Sequence, residues 1–289
     1  MPYLIDTHTH FDIPEYESQR EEYVRRSSMA GVRHLVMIGY QAMYFERMVQ
    51  AAKAVNAMCF DAKGQSIGVQ AHLAMGLHPL YIQAHHEQDL VYLESMLAKH
   101  SNVALAEIGL DTYLPALKEA DVYAKQKRFF GEQLQLSKTY QLPIILHIRR
   151  AHADVLAILK AHKYHAHAQG GIAHSFSGGE QEALAFAKLG FKIGVTGQIT
   201  NPNAKKLQRA IRAVVEKVGL SALVIETDCP DMMPVPCQAL GSFNEPANLP
   251  YVLSALSELL AVDKLRLAEQ LWQNSIEALA VNWRYPRAY

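Results

Sequence analysis

The chain has 289 residues, half of them apolar, and its 28 lysines and arginines balance its 28 aspartates and glutamates. This length fits one barrel of alternating strands and helices, typically roughly 250 residues long, so we predict a single domain over residues 1–289. The formal net charge of zero argues against the broad basic surface of a duplex-binding protein, while a small site for a few phosphates stays open.

Eight short apolar runs recur along the chain, and each is predicted to form a β-strand. They are rich in valine, isoleucine and leucine with little alternation, which is typical of strands that are covered on both faces. The predicted strands are 3–10, 34–40, 71–78, 103–111, 143–149, 171–175, 191–197 and 223–228. Stretches with helical spacing lie between or after them, at 43–57, 87–100, 119–140, 151–163, 179–189, 203–217, 248–260 and 263–281.

This alternation of strands and helices predicts an α/β fold, namely a TIM (β/α)8 barrel. A doubly wound open sheet is the main alternative, and it usually carries a glycine-rich phosphate turn after its first strand. The sequence at that position is HTHFDIPEY, which offers no such turn. Segment 56–69 is predicted to be a surface loop.

Side chains that bind metals lie near the carboxyl ends of the predicted strands, where barrels of this class gather their reactive groups. His8 and His10 are two residues apart, so on a strand they share a face and can reach one ion. Glu107 follows an apolar stretch, where a carboxylate is seldom buried without a partner. An ion pair with Arg149 is the alternative to metal binding. The predicted metal ligands are His8, His10, Glu107, His147, His174 and Asp228.

This set of ligands exceeds what one four-coordinate ion needs, so we predict two divalent ions that share Glu107. Four imidazoles favour zinc, with manganese, nickel, cobalt and magnesium as alternatives. Two such ions lower the pKa of bound water from 15.7 toward about 7. Asp228 and Glu107 are the predicted catalytic residues, Asp228 as the proton acceptor. Glu226, two residues before Asp228, is predicted to steady a ligand.

Three further residues at the same strand ends are predicted to contact the substrate. His78 ends the third strand, and Arg149 follows His147 by two residues, where a guanidinium suits a phosphate or a carboxylate. A surface salt bridge is the alternative for Arg149. Asp111 continues the face of Glu107 and is expected to orient a ligand or a loop.

Other histidines and cysteines are assigned to structure. His34 and His72 open their strands, so they are expected to serve stability at the opposite end of the barrel. His85 lies on a helix or loop and is expected to be solvated. Cys229 adjoins Asp228, but neighbouring strand residues face opposite sides, so it is interpreted as a small buried residue.

The compartment is predicted from what the chain lacks. Three cysteines give no disulfide framework, which favours a reduced environment. The start of the chain resembles no signal peptide, and no stretch of about 18 apolar residues is long enough to span a membrane. We therefore expect a cytoplasmic protein without membrane contact.

The motifs resemble one known family when they are taken in order. They are the H-x-H pair at 8–10, GLHP at 76–79, EIGLD at 107–111, L-H-x-R at 146–149, H-S-F-S-G at 174–178 and E-T-D-x-P at 226–230. Together they resemble the TatD-related metal-dependent hydrolases of the amidohydrolase superfamily, most closely the YjjV-like branch. The resemblance implies a TIM barrel, a two-metal site formed by the six ligands, and hydrolysis of an ester bond, with deoxyribonuclease activity in some members. Phe243 stands where many members carry an arginine, which removes a phosphate contact.

We predict a hydrolase whose dinuclear centre activates water, acting on phosphoester bonds in a small molecule or an oligonucleotide. The alternatives are a C–N or lactone hydrolase with the same centre, and a non-catalytic metal-binding barrel. A nucleic-acid-binding module is the weakest alternative, because a basic helix stripe is usually a solvated face. That stripe consists of Lys205, Lys206, Arg209 and Arg212.

Overall fold

The computed structural model describes residues 2–59, 68–239, 241 and 243–286. Eight strands form one sheet in which each strand pairs in parallel with the next one along the chain. The strands are β1 (Leu4–Thr9), β2 (Val32–Ile38), β3 (Gln70–Met75), β4 (Asn102–Asp111), β5 (Ile144–Arg149), β6 (Ile172–Ala173), β7 (Lys192–Val195) and β8 (Leu223–Ile225).

The last strand returns to the first, which closes the sheet. The hydroxyl of Thr7 in β1 donates a hydrogen bond of 3.1 Å to the carbonyl of Ile225 in β8. Just beyond β8, the amide of Asp228 donates to the carbonyl of His8 over 2.9 Å. The predicted TIM barrel is confirmed. Its closure brings the first motif, which contains His8, next to the last, which contains Asp228.

Helices follow the strands around the barrel, and none of those in the described ranges is long and apolar enough to cross a membrane. The predicted helices omit α1, whose charged sequence buries only Val24 and Ser27 and so gives a weak apolar pattern. The helices are α1 (Arg20–Met29), α2 (Phe45–Ala57), α3 (Glu87–Lys99), α4 (Ala120–Thr139), α5 (His152–Ala161), α6 (Ala166–Gln169), α7 (Glu180–Lys188), α8 (Lys205–Val218), α9 (Leu249–Leu260) and α10 (Lys264–Ala278).

Alternate residues of the strands pack in two separate apolar clusters. In β2, Leu35 and Met37 belong to the large cluster that includes the helices, whereas Val36 and Ile38 belong to a smaller one. A strand covered on both faces needs apolar residues at every position, which explains the runs without alternation. The smaller cluster also contains Ala74, Ala104, Ala106, Ile145, Ile172 and Val224.

The amino-terminal ends of the strands are covered by the segment that follows α10. Nδ1 of His34 lies 3.0 Å from Nε2 of His72. The ring of Trp283 stacks on both imidazoles, with centroids 4.2 Å from His34 and 4.0 Å from His72. Nε1 of Trp272 in α10 donates to the carbonyl of Trp283 over 3.2 Å, which holds this segment in place.

The prediction of a surface loop at 56–69 is wrong at both of its described ends. α2 continues through Ala57, and Cys59 and Val69 are fully buried. Apolar packing against the barrel holds these ends, a contact that the polar composition of the segment did not reveal. Residues 60–67 of the segment lie outside the described residues, and the one-domain prediction for residues 1–289 stays a prediction.

Candidate metal centre

Glu107 lies at the centre of a cluster of imidazoles at the carboxyl ends of the strands. Its side chain is almost fully buried, at 2% exposure. Oε2 lies 3.2 Å from Nε2 of His8 and 3.9 Å from Nε2 of His10. The two histidines of the H-x-H pair, at the end of β1 and just beyond it, therefore face the same oxygen. A spacing of two in an extended chain places both side chains on one face.

The other oxygen of Glu107 faces a second group of imidazoles. Oε1 lies 2.6 Å from Nδ1 of His147, 3.3 Å from Nε2 of His78 and 3.6 Å from Nε2 of His174. These histidines come from or follow three different strands, β5, β3 and β6. The two oxygens of Glu107 thus face two different groups of imidazole nitrogens.

Asp228 joins the cluster from the end of β8. Oδ1 lies 3.6 Å from Nε2 of His8, and Oδ2 lies 3.5 Å from Nε2 of His174. The backbone of Asp228 has a φ of 54°, in the left-handed region that a non-glycine residue adopts at a cost of roughly 1–2 kcal/mol. This backbone conformation directs the carboxylate toward the imidazoles. Strained backbone of this kind is common at functional sites.

Three of the imidazoles have an acceptor on the ring nitrogen that faces away from Glu107. Nε2 of His147 lies 3.0 Å from Oδ2 of Asp111, and Nδ1 of His174 lies 3.0 Å from Oε1 of Glu226. Nδ1 of His10 lies 3.2 Å from the carbonyl of Ile38. Imidazoles that bind metals are usually oriented in this way, by a carboxylate or a backbone carbonyl on the second nitrogen.

His8 supplies the clearest sign that the cluster suits metal ions. It is fully buried, and neither of its ring nitrogens has a hydrogen-bond partner among the described residues. A buried polar group without a partner is costly, and a metal ion would satisfy it. Among the described residues, three sets of side chains could each hold an ion, because the potential ligand atoms within a set all lie within 4.8 Å of one another. The sets are His8, His10 and Glu107; His78, Glu107 and His147; and His8, His174 and Glu226.

A comparison with known protein families matches most of the chain. The model of the family described as TatD related DNase matches residues 5–280. The chain belongs to the TatD-related DNase family. The resemblance that the ordered motifs indicated is thereby confirmed.

Relatives in the TatD family match almost the whole chain. The metal-dependent hydrolase YjjV of Escherichia coli (strain K12) is 34% identical over 275 residues, covering 94% of this chain and 96% of that protein. A metal-dependent hydrolase of Haemophilus influenzae is 32% identical over 281 residues, covering 95% and 98%. The crystal structure of the E. coli YjjV protein gives a TM-score of 0.81 at 33% identity, over 96% of this chain and 98% of that one. The chain is therefore a metal-dependent hydrolase.

One more distant TatD relative carries a more specific name. It is the 3'-5' ssDNA/RNA exonuclease TatD of Pantoea vagans, 24% identical over 277 residues, which cover 94% of this chain and 97% of that protein. Its name describes that protein, and the sequence identity is lower than for the two relatives above.

The side chains of the cluster have pKa values that are shifted in opposite directions. Burial opposes charging of His147 and His174, but the neighbouring carboxylates outweigh it and raise their pKa values to about 9 and about 10. Burial and the imidazole of His174 lower the pKa of His8 to about 3. Burial raises the pKa of Asp228 to about 8, whereas for Glu107 the imidazoles outweigh burial and lower its pKa well below the usual value. Such strongly shifted groups are typical of functional sites.

Sequence reasoning missed one carboxylate next to the site and misjudged one histidine. Asp6 is fully buried and accepts hydrogen bonds from the amide and the hydroxyl of Thr227, at 2.9 and 2.5 Å. It shares the face of His8 and His10 at a spacing of two, a signal that could have found it. The prediction of a solvated His85 is wrong, because its ring is 1% exposed and Nε2 lies 3.0 Å from the carbonyl of His78.

A cavity of about 310 Å³ opens directly over the cluster. Arg149 lies at its rim, exposed, with its guanidinium 3.6 Å from the ring centre of Tyr113. Another part of the lining of this cavity is apolar and aromatic. Among the described residues it includes Ile13, Tyr40, Leu80 and Tyr81.

Proposed function

We propose that the chain hydrolyses phosphoester bonds with a dinuclear metal centre at the carboxyl ends of its strands. One observation carries this proposal: the two oxygens of Glu107 face different groups of imidazoles. A carboxylate in that arrangement suits a bridge between two ions. We assign His8, His10 and Asp228 to one ion and His147 and His174 to the other, with zinc as the first choice because imidazoles predominate.

Two divalent ions held by these residues would supply polarisation of a phosphoryl oxygen and hydroxide near neutral pH. The protein supplies the rest of the chemistry through its own side chains. Asp228 lines the cavity. The positive charge of bound ions would favour its carboxylate form, which accepts the proton of the attacking water and can return that proton to the leaving group. Arg149 at the rim and His78, buried beside Glu107, hold the anionic part of the substrate.

The choice of a phosphoester over other bonds has two supports. Arg149 is exposed at the cavity rim, where its planar guanidinium suits a phosphate. The name of the Pantoea vagans relative, a 3'-5' ssDNA/RNA exonuclease, supports a phosphodiester in a nucleic acid. The same centre acting on a carbonyl would make a lactone or C–N hydrolase, which is the alternative that the assay must separate.

The proposal is tested by metal analysis and a substrate panel on one preparation. We expect two zinc ions per chain and hydrolysis of phosphodiesters, with little turnover of lactones or amides. Glu107→Gln and His147→Ala are expected to lower the metal content and to abolish turnover, because each removes a donor to the centre. Circular dichroism checks that both variants keep the fold.

Several outcomes would contradict the proposal. Full activity in either variant would exclude the dinuclear centre, and one bound ion per chain would exclude the bridge. Hydrolysis of lactones alone would assign the alternative chemistry. Bound metal without any hydrolysis would indicate a non-catalytic metal-binding barrel.

A further inference from the structure

The cavity over Glu107 continues past Arg149 into a longer groove. A second cavity of about 440 Å³ shares His147, His174 and Asp228 with the first. A third, of about 870 Å³, lies beyond it. Arg149 lines all three, so the groove begins at the metal centre and runs along the end of β5.

The far part of the groove is lined by four exposed cations. They are Lys118, Arg149, Arg150 and Lys206. This concentration contrasts with the chain as a whole, whose formal net charge is zero. A local basic groove of this kind favours an anionic ligand.

The two carboxylates in the same lining are already engaged. Asp154 accepts a hydrogen bond from the hydroxyl of Tyr123 and lies 3.3 Å from Nζ of Lys127. Glu182 accepts a hydrogen bond of 2.6 Å from the amide of Gly179. Neither forms an ion pair with a cation of the groove among the described residues, and the four cations outnumber the two carboxylates, so the lining keeps an excess of positive charge.

Two of the cations are held in place by an aromatic ring instead of a carboxylate. The guanidinium of Arg149 lies 3.6 Å from the ring centre of Tyr113, and that of Arg150 lies 4.7 Å from the same ring. Neither arginine forms an ion pair within the described part of the chain. Stacking orders a guanidinium and leaves its in-plane N–H donors free, which suits bidentate binding of a phosphate.

The surroundings of the metal centre differ in polarity from one part to another, and this difference predicts the orientation in which a substrate binds. The wall formed by Ile13, Tyr40, Leu80 and Tyr81 suits an apolar group or a base that stacks on an aromatic ring. None of these four residues lines the other two cavities, which carry the cations of the groove. A nucleotide at the end of a strand therefore fits the aromatic side, and the remaining phosphates fit the cationic side.

We propose that Arg150, supported by Tyr113, and Lys118 form a subsite for the second phosphate of a single-stranded nucleic acid whose end lies over the metal centre. This inference rests on the proposed function and names the residues that make it selective for chain length. A substrate with one phosphate reaches the centre without using the subsite. A substrate with two or more phosphates gains one additional charged contact.

The test compares two thymidine oligonucleotides with the metal-loaded enzyme. The dinucleotide has one phosphate, and the trinucleotide has two. We expect kcat/KM to be about tenfold higher for the trinucleotide, in line with one hydrogen-bonded contact to a charged group. In Arg150→Gln combined with Lys118→Gln, this advantage is expected to disappear. Lys217→Gln, an exposed lysine outside the groove, is the matched control and should keep it.

A binding measurement gives an independent readout. A labelled trinucleotide with cleavage-resistant phosphorothioate links is titrated into the metal-loaded enzyme at several salt concentrations. Each lost phosphate contact is expected to reduce the slope of log affinity against log salt by about 0.7. The Lys217→Gln control should show the slope of the unmodified protein.

The outcomes separate the subsite from the proposed function. Hydrolysis of both oligonucleotides at equal kcat/KM, or an unchanged ratio in the double variant, would overturn the subsite alone. An equal loss on both substrates would also overturn it, because it would indicate general damage to the site. Hydrolysis of neither substrate by the metal-loaded protein would overturn both proposals.

Discussion

Asp111 orients His147 from the side of the imidazole that faces away from Glu107. Its carboxylate is fully buried, with Oδ2 3.0 Å from Nε2 of His147 and Oδ1 accepting from the amide of Tyr113 over 2.7 Å. The first contact leaves Nδ1 of His147 directed at Glu107, 2.6 Å away. The sequence groups Asp111 with the substrate contacts, whereas its position in the structure favours the role of orienting a ligand.

At this scale we predict that Asp111→Asn weakens metal binding by about 10–100-fold, because an amide is a poorer acceptor for the imidazole. Competition of the protein with a zinc chelator measures the change, together with kcat/KM. Asp121→Asn, an exposed residue of α4, is the matched control. An unchanged zinc affinity in Asp111→Asn would refute the orienting role.

α4 acts as a brace for the strand ends that carry the site. Gln126 is buried; its Oε1 accepts from the amide of Asp111 over 2.9 Å, and its Nε2 donates to the carbonyl of the same residue over 3.0 Å. Gln133, seven residues later on the same helix face, makes the corresponding pair with Leu77, at 2.7 and 3.2 Å. The helix thus fixes the backbone beside Asp111 and beside His78.

We predict that Gln126→Leu lowers the free energy of unfolding by about 1–3 kcal/mol, because the amide of Asp111 is left buried without a partner. Urea denaturation measures the loss, and kcat/KM is expected to fall with it as Asp111 shifts. Gln135→Leu, exposed on the same helix, should change stability by no more than about 0.5 kcal/mol. Equal stability of the two variants would argue against the brace.

The whole barrel separates its functions between two ends. The carboxyl ends of the strands carry the cluster of imidazoles around Glu107, and the amino ends are closed by Trp283 on His34 and His72. Burial lowers the pKa of His34 to about 3, and burial lowers that of His72 to about 4. Both imidazoles are therefore neutral in the folded protein at pH values where an unfolded histidine, with a pKa near 6.5, is already protonated.

This difference predicts a loss of stability in acid. Below about pH 6.5 these two histidines bind protons in the unfolded chain that they do not bind in the folded one, so their contribution to stability falls as the pH drops toward about 4. Each histidine contributes a slope of at most about 1.4 kcal/mol per pH unit. We expect His72→Gln to reduce the slope measured by urea denaturation between pH 4 and 6.5, and the exposed His165→Gln to leave it unchanged. The same slope in all three proteins would contradict the prediction.

The sequence alone determined the barrel and the residues that gather at its active end. Strands covered on both faces leave continuous apolar runs, and a polar residue at the end of such a run is conspicuous. The spacing of two in His8 and His10 fixed a shared face, because that is the period of a strand. These are local properties, so they can be predicted before any contact between distant segments is known.

The tertiary structure decided how those residues meet. The division of imidazoles between the two oxygens of Glu107, the burial of His85 and the pairing of Asp6 with Thr227 depend on segments that are far apart in the chain. Gln126 and Gln133 gave no motif, because a glutamine on a helix acquires its role only from the strand end that packs against it. The ligand assignment and the number of metal ions stay predictions, since both depend on coordination in space, which residue order does not encode.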